Sequence, residues 1–393
     1  MKKLMIVGAS VLQLPAILKA KEMGLDVAVV DYNPQAVGIP YANAYFNAST
    51  MDEDAVLAAA DAYKPDGIMT LATDMPMRGV SKASDKMHLH SISYETSFKA
   101  TDKYEMIKAF KAYGVPSPWY HAVDSYEELE ALEGKVSFPC IIKPTDNAGS
   151  HGVAKVFNFE ELLANYEYSH SSSRHGKVIV EEYLDGPEVS VEVMVVDGDV
   201  HILQITDKIT TGAPHFVEMG HTQPSRLAAD VQRKIREVAE AACASLGLDK
   251  GPAHVEMKVT SRGPVMIELG ARMGGDNITT HLVPLSTGID MVGATIKVAL
   301  GEKPDITPVL DCGSAIRYFE ASYGTITAIE NVEEAERIPG VRQITFTKGV
   351  GEASTPIQSS NDRLGFVIAQ GATAEDAVQA CEAALRAVKI SIE

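Results

Sequence analysis

Residues 254–276 read HVEMKVTSRGPVMIELGARMGGD. Two alternating apolar runs, HVEMKV and PVMIEL, flank the turn TSRG, which signals a β-hairpin. Alternation puts Glu256 on one face with His254 and Lys258, and Glu268 closes the second run. Carboxylates on neighbouring strands repel unless a cation lies between them. Mg²⁺ is the hard cation usually held by carboxylates together with phosphate oxygens. Arg272 follows among small residues, where a guanidinium can fork two hydrogen bonds to a phosphoryl or carboxylate group. A pair of solvated edge glutamates is the plainer reading. The apolar neighbours of Glu268 and the Arg–Gly–Gly segment behind it favour the cation site.

Working outward, residues 140–157 read CIIKPTDNAGSHGVAKVF: an apolar run ending in Lys143, a glycine-bearing loop, and a second apolar run. Such a loop suits an anion held by backbone N–H groups, but the lysine precedes it and no helix signal follows, so it is not GxxxxGK[ST]. Residues 178–193, VIVEEYLDGPEVSVEV, end one strand at Glu181 and Glu182 and open another at Glu188. The connector YLDGP can lie against a purine ring, and a carboxylate just beyond it can accept ribose hydroxyls. Taken alone, EEYLDG is also ordinary turn chemistry.

The first hundred residues alternate strand and helix: LMIVGA, PAILKAKEMG, DVAVVD, DEDAVLAAADAY, GIMTLA. This predicts a parallel sheet covered by helices, with ligands at the carboxyl ends of its strands. Gly8 and Asp31 stand where a dinucleotide fold would use them, but GASVLQ lacks GxGxxG, so the turn reads as structural. TDKYEMIKAFKAYG, FEELLANYEY, AADVQRKIREVAEAACASLG and the terminal AEDAVQACEAALRAV read as helices, and SHSSSRHGK as a mobile surface loop.

Composition sets the outer limits. The 393 residues suffice for two or three domains, with 46% apolar and 22% charged residues. A net charge of −18, from 35 Lys+Arg against 53 Asp+Glu and with no basic block, argues against a nucleic-acid or anionic-membrane partner. Any phosphate must therefore be met by a few placed cations and a metal ion. Cys140, Cys243, Cys312 and Cys381 are widely spaced and read as reduced thiols of a cytoplasmic protein. The opening MKKLMIVGASVLQLPAILKA imitates a signal peptide, but Gly8, Ser10 and Gln13 break the apolar run, and no later run reaches membrane-spanning length. His88, His90, His170 and His175 lack acidic partners at ligand spacing and read as surface histidines.

The ordered set Lys103, IIKP with its glycine loop, EEYLDGPEVSVEV and HVEMKV…GPVMIELGARMGGD resembles the ATP-grasp superfamily. Within it the chain is most similar to the carboxylate–amine ligases, near the bacterial L-amino acid ligases. The resemblance implies an ATP-grasp fold, α/β and α+β: an N-terminal Rossmann-like domain (1–98), the grasp module (99–305, lid about 120–186) and a small C-terminal α+β domain (306–393). It implies ATP with Mg²⁺, or Mn²⁺ in its place. It places Lys103 and Lys143 on the phosphates and Ser150, His151 and Gly152 at the tip of a closing flap. Glu181 and Leu184 fall at the adenine edge, Glu188 at the ribose, and Glu256 and Glu268 on the metal. One departure stands out, since the family's usual asparagine two residues after the second metal glutamate is Gly270 here.

The implied chemistry is amide formation through an acyl phosphate, with small-molecule carboxylate and amine partners and a homodimer allowed. In ITDKITTGAPHFVEMGHTQPSRL, residues 205–227, Glu218 and His221 match substrate-facing positions. Glu218 can hold an ammonium group, and His221 can orient a carboxylate or accept a proton near neutral pH. A water-facing proline-punctuated loop is the competing reading. Arg272 and Glu268 join His221 as the catalytic set. Asp276 is expected in the pocket wall, its charge favouring a cationic partner. The alternatives are a purine-pathway or biotin-carboxylase-like ligase and an ATP-binding regulatory protein without turnover. Against the first, the N-terminal domain offers only Arg78, Lys82 and Lys86 as a basic cluster.

Overall fold

The protein is described from a computed structural model covering residues 1–147 and 151–393. The N-terminal strands β1 (Lys3–Val7), β2 (Asp26–Asp31), β3 (Ala44–Asn47) and β4 (Gly67–Met69) form a parallel sheet in the order β3-β2-β1-β4. Their near-continuous apolar runs are what a sheet covered on both faces requires. The places a dinucleotide would take are filled from within. Asp31 accepts from the Ala9 and Asn33 backbone N–H groups at 2.8 and 2.9 Å, and the Gln13 side chain packs over Gly8 while donating to the Leu71 carbonyl at 2.7 Å.

A second, antiparallel sheet joins β5 (Tyr120–Val123), β6 (Cys140–Pro144), β7 (Ala154–Val156) and β8 (Val178–Glu182) in the order β5-β8-β6-β7. It is the lid. The glycine loop runs between β6 and β7, strand to strand, as its sequence suggests. FEELLANYEY, expected as one helix, forms two, Phe159–Ala164 and Tyr166–Ser171. The expected mobile loop at 169–177 is instead tied down. The Asp146 carboxylate accepts from Ser173 Oγ at 2.9 Å and from the Arg174 and His175 backbone N–H groups at 3.1 Å each.

The main sheet has eight strands. They are β9 (Glu188–Val196), β10 (Asp199–Thr210), β11 (Glu218–Gln223), β12 (Gly251–Thr260), β13 (Gly263–Gly270), β14 (Gly313–Tyr318), β16 (Val341–Phe346) and β18 (Gly365–Gly371). Their order is β13-β12-β9-β10-β11-β14-β18-β16, so one sheet runs across the expected boundary at 305/306. A small sheet of β15 (Gly324–Glu330), β17 (Ala353–Ser354) and β19 (Lys389–Ile392) completes the C-terminal region, with β19 following the helix that sequence reading took as the end. No single described helix is long and apolar enough to cross a membrane.

Two devices set the cavity between lid and main sheet. The helix Lys103–Tyr113, capped by Asp102, packs Met106 and Phe110 under the β12–β13 hairpin and so delivers Lys103 to its edge. The connector from β8 to β9 turns at Gly186, at φ +137°, where a Cβ would lie 2.1 Å from the Val259 carbonyl oxygen of β12. Only glycine tolerates both the angle and the approach. Gly186→Ala should therefore destabilise the fold by about 1–3 kcal/mol in urea unfolding and weaken nucleotide binding through Leu184 and Glu188 on the same connector.

Candidate active site

β12 and β13 pair antiparallel with Glu256 directly opposite Glu268, and a bulge follows Glu256. Both carboxylates line a cavity of about 310 Å³ between lid and main sheet, and each is close enough to feel the other's charge. Lys103, Lys143, His151, Glu181, Leu184 and Glu188 line the same cavity, as does Glu218. Nine of the sequence-derived positions thus converge from segments as distant as residues 103 and 268.

Within the cavity the cations and carboxylates pair with one another. Lys103 Nζ lies 2.9 Å from Glu268 and donates to the Asn147 carbonyl at 2.9 Å. Lys143 Nζ lies 2.5 Å from Glu181. Lys208, on β10 and unforeseen from sequence, sits among three glutamates, bonded to Glu256, 2.9 Å from Glu188 and 3.6 Å from Glu218. Burial opposes charge on Lys208, yet the surrounding carboxylates hold its pKa well above the ordinary lysine value. Burial likewise opposes ionisation of Glu256 and Glu268, and Lys208 and Lys103 respectively outweigh it and keep both pKa values below the usual range.

The charge balance fits a divalent ion. Four lysines (Lys103, Lys143, Lys208, Lys258) and six glutamates (Glu181, Glu182, Glu188, Glu218, Glu256, Glu268) line the cavity, a surplus of two negative charges. A nucleoside triphosphate adds more negative charge, so a cation must enter with it. Glu256 and Glu268 are the oxygen donors such an ion would use. Among the described residues no group of three or more His, Cys, Asp or Glu is arranged to hold a metal, so phosphate oxygens and water would complete the shell.

Other expectations are corrected by the packing. Gly152 is buried against the lid, where a Cβ would lie 2.6 Å from Ser172 Cβ, and its carbonyl accepts from Ser169 Oγ at 2.6 Å. It shapes the loop rather than facing phosphate. Ser150 lies outside the described residues. Asp276 does not offer a free charge to a substrate, because Arg363 binds it through two hydrogen bonds of 2.9 Å and His221 Nε2 lies 3.3 Å away. Burial would raise the Asp276 pKa, but these two partners hold it far below the usual carboxylate range.

His221 is buried on β11 behind the cavity, with Nδ1 lacking a hydrogen-bond partner among the described residues. Arg272 is buried too. Its Nη2 lies 2.6 Å from Asp74 Oδ2, while its Nε is buried with no hydrogen-bond partner among the described residues. Sequence reading missed Lys208 and the C-terminal Gln358, Ser359 and Ser360, which line the cavity, and Asp74 and Glu192, which pair with Arg272 and His254 behind it. Asp74 could have been flagged by its place just past β4, at the carboxyl end of a parallel strand. Ala72, Phe216, Asp276 and Asn277 all adopt positive φ around the site. Non-glycine residues there store strain that functional sites commonly carry.

Residues 136–281 match the ATP-grasp domain family, and residues 317–393 match L-amino acid ligase C-terminal domain 2. The chain carries an ATP-grasp domain with an L-amino acid ligase C-terminal domain. It is similar to the alanine–anticapsin ligase of Bacillus subtilis, 28% identical over 319 residues covering 72% of this chain and 66% of the relative. It is also similar to the formate-dependent phosphoribosylglycinamide formyltransferase of Saccharolobus solfataricus, 24% identical over 394 residues covering 96% of this chain and 94% of the relative. The crystal structure of the L-amino acid ligase from Bacillus licheniformis superposes with a TM-score of 0.86 over 100% of this chain and 99% of that one, at 23% identity. That likeness establishes the ATP-grasp fold, N-terminal parallel sheet included.

Two outcomes follow for this ATP-grasp site. Lys208→Met leaves buried carboxylates unpaired and should cost about 3–5 kcal/mol. Added Mg²⁺ should raise the variant's thermal midpoint more than the wild type's. His254 lies between Glu192, at 2.9 Å, and Glu256, at 3.3 Å. Burial would lower its pKa, but Glu192 and Glu256 raise it from 6.5 to about 9. A raised folded pKa means stability fully present below about pH 6.5 and lost as pH climbs through about 9. Thermal melts should lose up to about 3 kcal/mol across that window, and His254→Gln should flatten the dependence.

Proposed function

We propose that this ATP-grasp ligase joins the carboxylate of an amino acid to an amine, forming an amide through an acyl phosphate with release of ADP and phosphate. One arrangement supports the reading above the rest: Glu256 and Glu268 face each other across a single ladder, in the same cavity as Lys103 and Lys143. A carboxylate pair beside two lysines under a lid is a site for a metal-bound triphosphate. The L-amino acid ligase C-terminal domain adds the amino-acid bias.

In this reading Leu184 packs against the adenine, Glu188 accepts from the ribose, and Lys103 and Lys143 exchange their glutamate partners for phosphate oxygens. Glu256 and Glu268 would hold a divalent ion, which would neutralise the phosphates. Arg272, held by Asp74 and close enough to feel the charges of Glu256 and Glu268, adds positive charge behind the transferred phosphoryl group. Glu218 orients the ammonium of the first amino acid, and His221, buried on the same strand, braces the site from behind through Nε2 and Asp276. The lid excludes water that would otherwise hydrolyse the activated carboxylate.

The second reading has one observation behind it, similarity to the formyltransferase over almost the whole chain. Against it, Lys82 pairs with Glu53 and Asp54, and Lys86 with Asp61, so two of the three N-terminal cations are spent on the fold. Phosphate release from Mg-ATP across a matrix of amino-acid pairs, with mass spectrometry of products, separates the readings. Dipeptide-dependent release is expected. Release only with formate, bicarbonate or a ribotide would overturn the amino-acid reading, and ATP binding with no release would mark a non-catalytic binder. Glu268→Gln should abolish turnover. It should also lower the thermal midpoint, because the buried Lys103 loses its partner.

A further inference from the structure

A second cavity, of about 360 Å³, lies between the N-terminal domain and the lid and shares Lys103 and Glu268 with the first. Asp146, Asn147, Arg174 and His175 form its lid side. Asp146 is 8% exposed. Its carboxylate is met by neutral donors: Ser173 Oγ at 2.9 Å and the consecutive backbone N–H groups of Arg174 and His175 at 3.1 Å. Successive N–H groups converging on one point are an anion site, and here the chain supplies the anion itself. The Lys177 N–H in turn donates to Ser173 Oγ at 3.2 Å. An amide of the same shape would turn an NH₂ group toward these donors, so the site asks for a carboxylate.

The residues on either side of Asp146 tie it to Lys103. The Thr145 carbonyl accepts from the Lys103 backbone N–H at 2.8 Å, and the Asn147 carbonyl accepts from Lys103 Nζ at 2.9 Å. Asn147 Nδ2 donates to the Ser172 carbonyl at 2.9 Å. On the far side of the glycine loop, Ser169 Oγ donates to the Gly152 carbonyl at 2.6 Å, and Ser172 packs where a Cβ on Gly152 would stand. Segment 169–175 therefore grips both roots of the loop, at 145–147 and at 152. The same segment sends Arg174 to Met75 Sδ of the N-terminal domain, at 2.6 Å. The Lys103 helix, the two loop roots and the N-terminal domain thus meet at one clasp, with Asp146 as its central acceptor.

We infer that Asp146 is a positioning residue: it fixes both roots of the glycine loop against segment 169–175, sets where Lys103 Nζ stands through the Asn147 carbonyl, and so keeps water from the acyl phosphate. This role rests on the amide-ligase reading and extends it to a residue that touches no substrate. The ion pair with Glu268 fixes a distance for Lys103, and the Asn147 carbonyl adds a direction. Because the second cavity shares Lys103 and Glu268 with the first, loosening its lid side opens a path for water toward the phosphoryl site. Water that attacks the acyl phosphate in place of the amine returns the starting carboxylate and phosphate, so ATP is hydrolysed with no amide formed.

The test measures phosphate released and amide formed in the same reaction, for wild type, Asp146→Asn and Ser173→Ala. Glu160→Gln, at an exposed position on the lid helix Phe159–Ala164, is the control. In wild type and control the two products should match. Asp146→Asn should raise KM for MgATP by about 10-fold and the ratio of phosphate to amide by about 3- to 10-fold. Ser173→Ala removes one donor and should shift both in the same direction by less. Products that still match, with KM unchanged, would overturn the clasp and leave the ligase reading standing, whatever happens to kcat. If Asp146→Asn does not fold, the ratio in Ser173→Ala decides in the same way. If no amino-acid pair yields an amide, hydrogen exchange of peptides covering 143–147 and 169–177, with and without MgADP, takes its place. Faster exchange in both peptides of Ser173→Ala keeps the clasp while the ligase reading falls. Faster exchange in one peptide alone, or in neither, would overturn it.

Discussion

Lys208 is the charge on which the catalytic face depends. Glu188, Glu218 and Glu256 come from three strands, and without a cation among them their mutual repulsion would oppose the pairing of β9 with β10 and β12. One buried ammonium resolves all three. The same ammonium outweighs burial at Glu256 and holds its pKa below the usual carboxylate range. The site is a set of internal ion pairs into which incoming charges can exchange.

The same economy of charge recurs at each layer behind the cavity. His254 bridges Glu192 and Glu256, holding the Glu256 carboxylate from behind. Arg363, from the C-terminal region, binds Asp276 and the Glu218 carbonyl and stacks on Tyr318 at 3.8 Å. That one side chain links the strand bearing Glu218, the segment following Arg272 and the C-terminal strands of the main sheet. Continuity of the eight-stranded sheet across residue 305 gives the linkage its rigidity. A buried arginine satisfied on all sides positions a site more firmly than apolar packing alone, because its partners must be met in direction as well as distance.

Asp74 lines the second cavity. Its carboxylate pairs with the buried Arg272 and occupies space that a side chain at 270 would fill. Gly270, which looks like a missing ligand in the sequence, is in the structure the vacancy that admits an acid from another domain. The strained φ of Ala72, +64°, falls two residues before Asp74 and helps set its approach.

Much of this was legible in the residues themselves. The period-two pattern of HVEMKV and PVMIEL placed Glu256 and Glu268 on paired strands, and strand–helix alternation predicted the parallel sheet, because both signals come from local periodicity that burial enforces. The order of the lysine, the glycine loop and the glutamates pointed to a triphosphate site. What remained hidden was every contact set by register or by domain packing. Nothing in QITDKIT says that Lys208 falls opposite Glu188 on β9, or that Asp74, Arg174 and Arg363 reach other domains. A side chain's type and its face are properties of the local chain. Its partner's identity, and hence whether Asp276 is free or paired, is decided only when distant strands and helices are packed together.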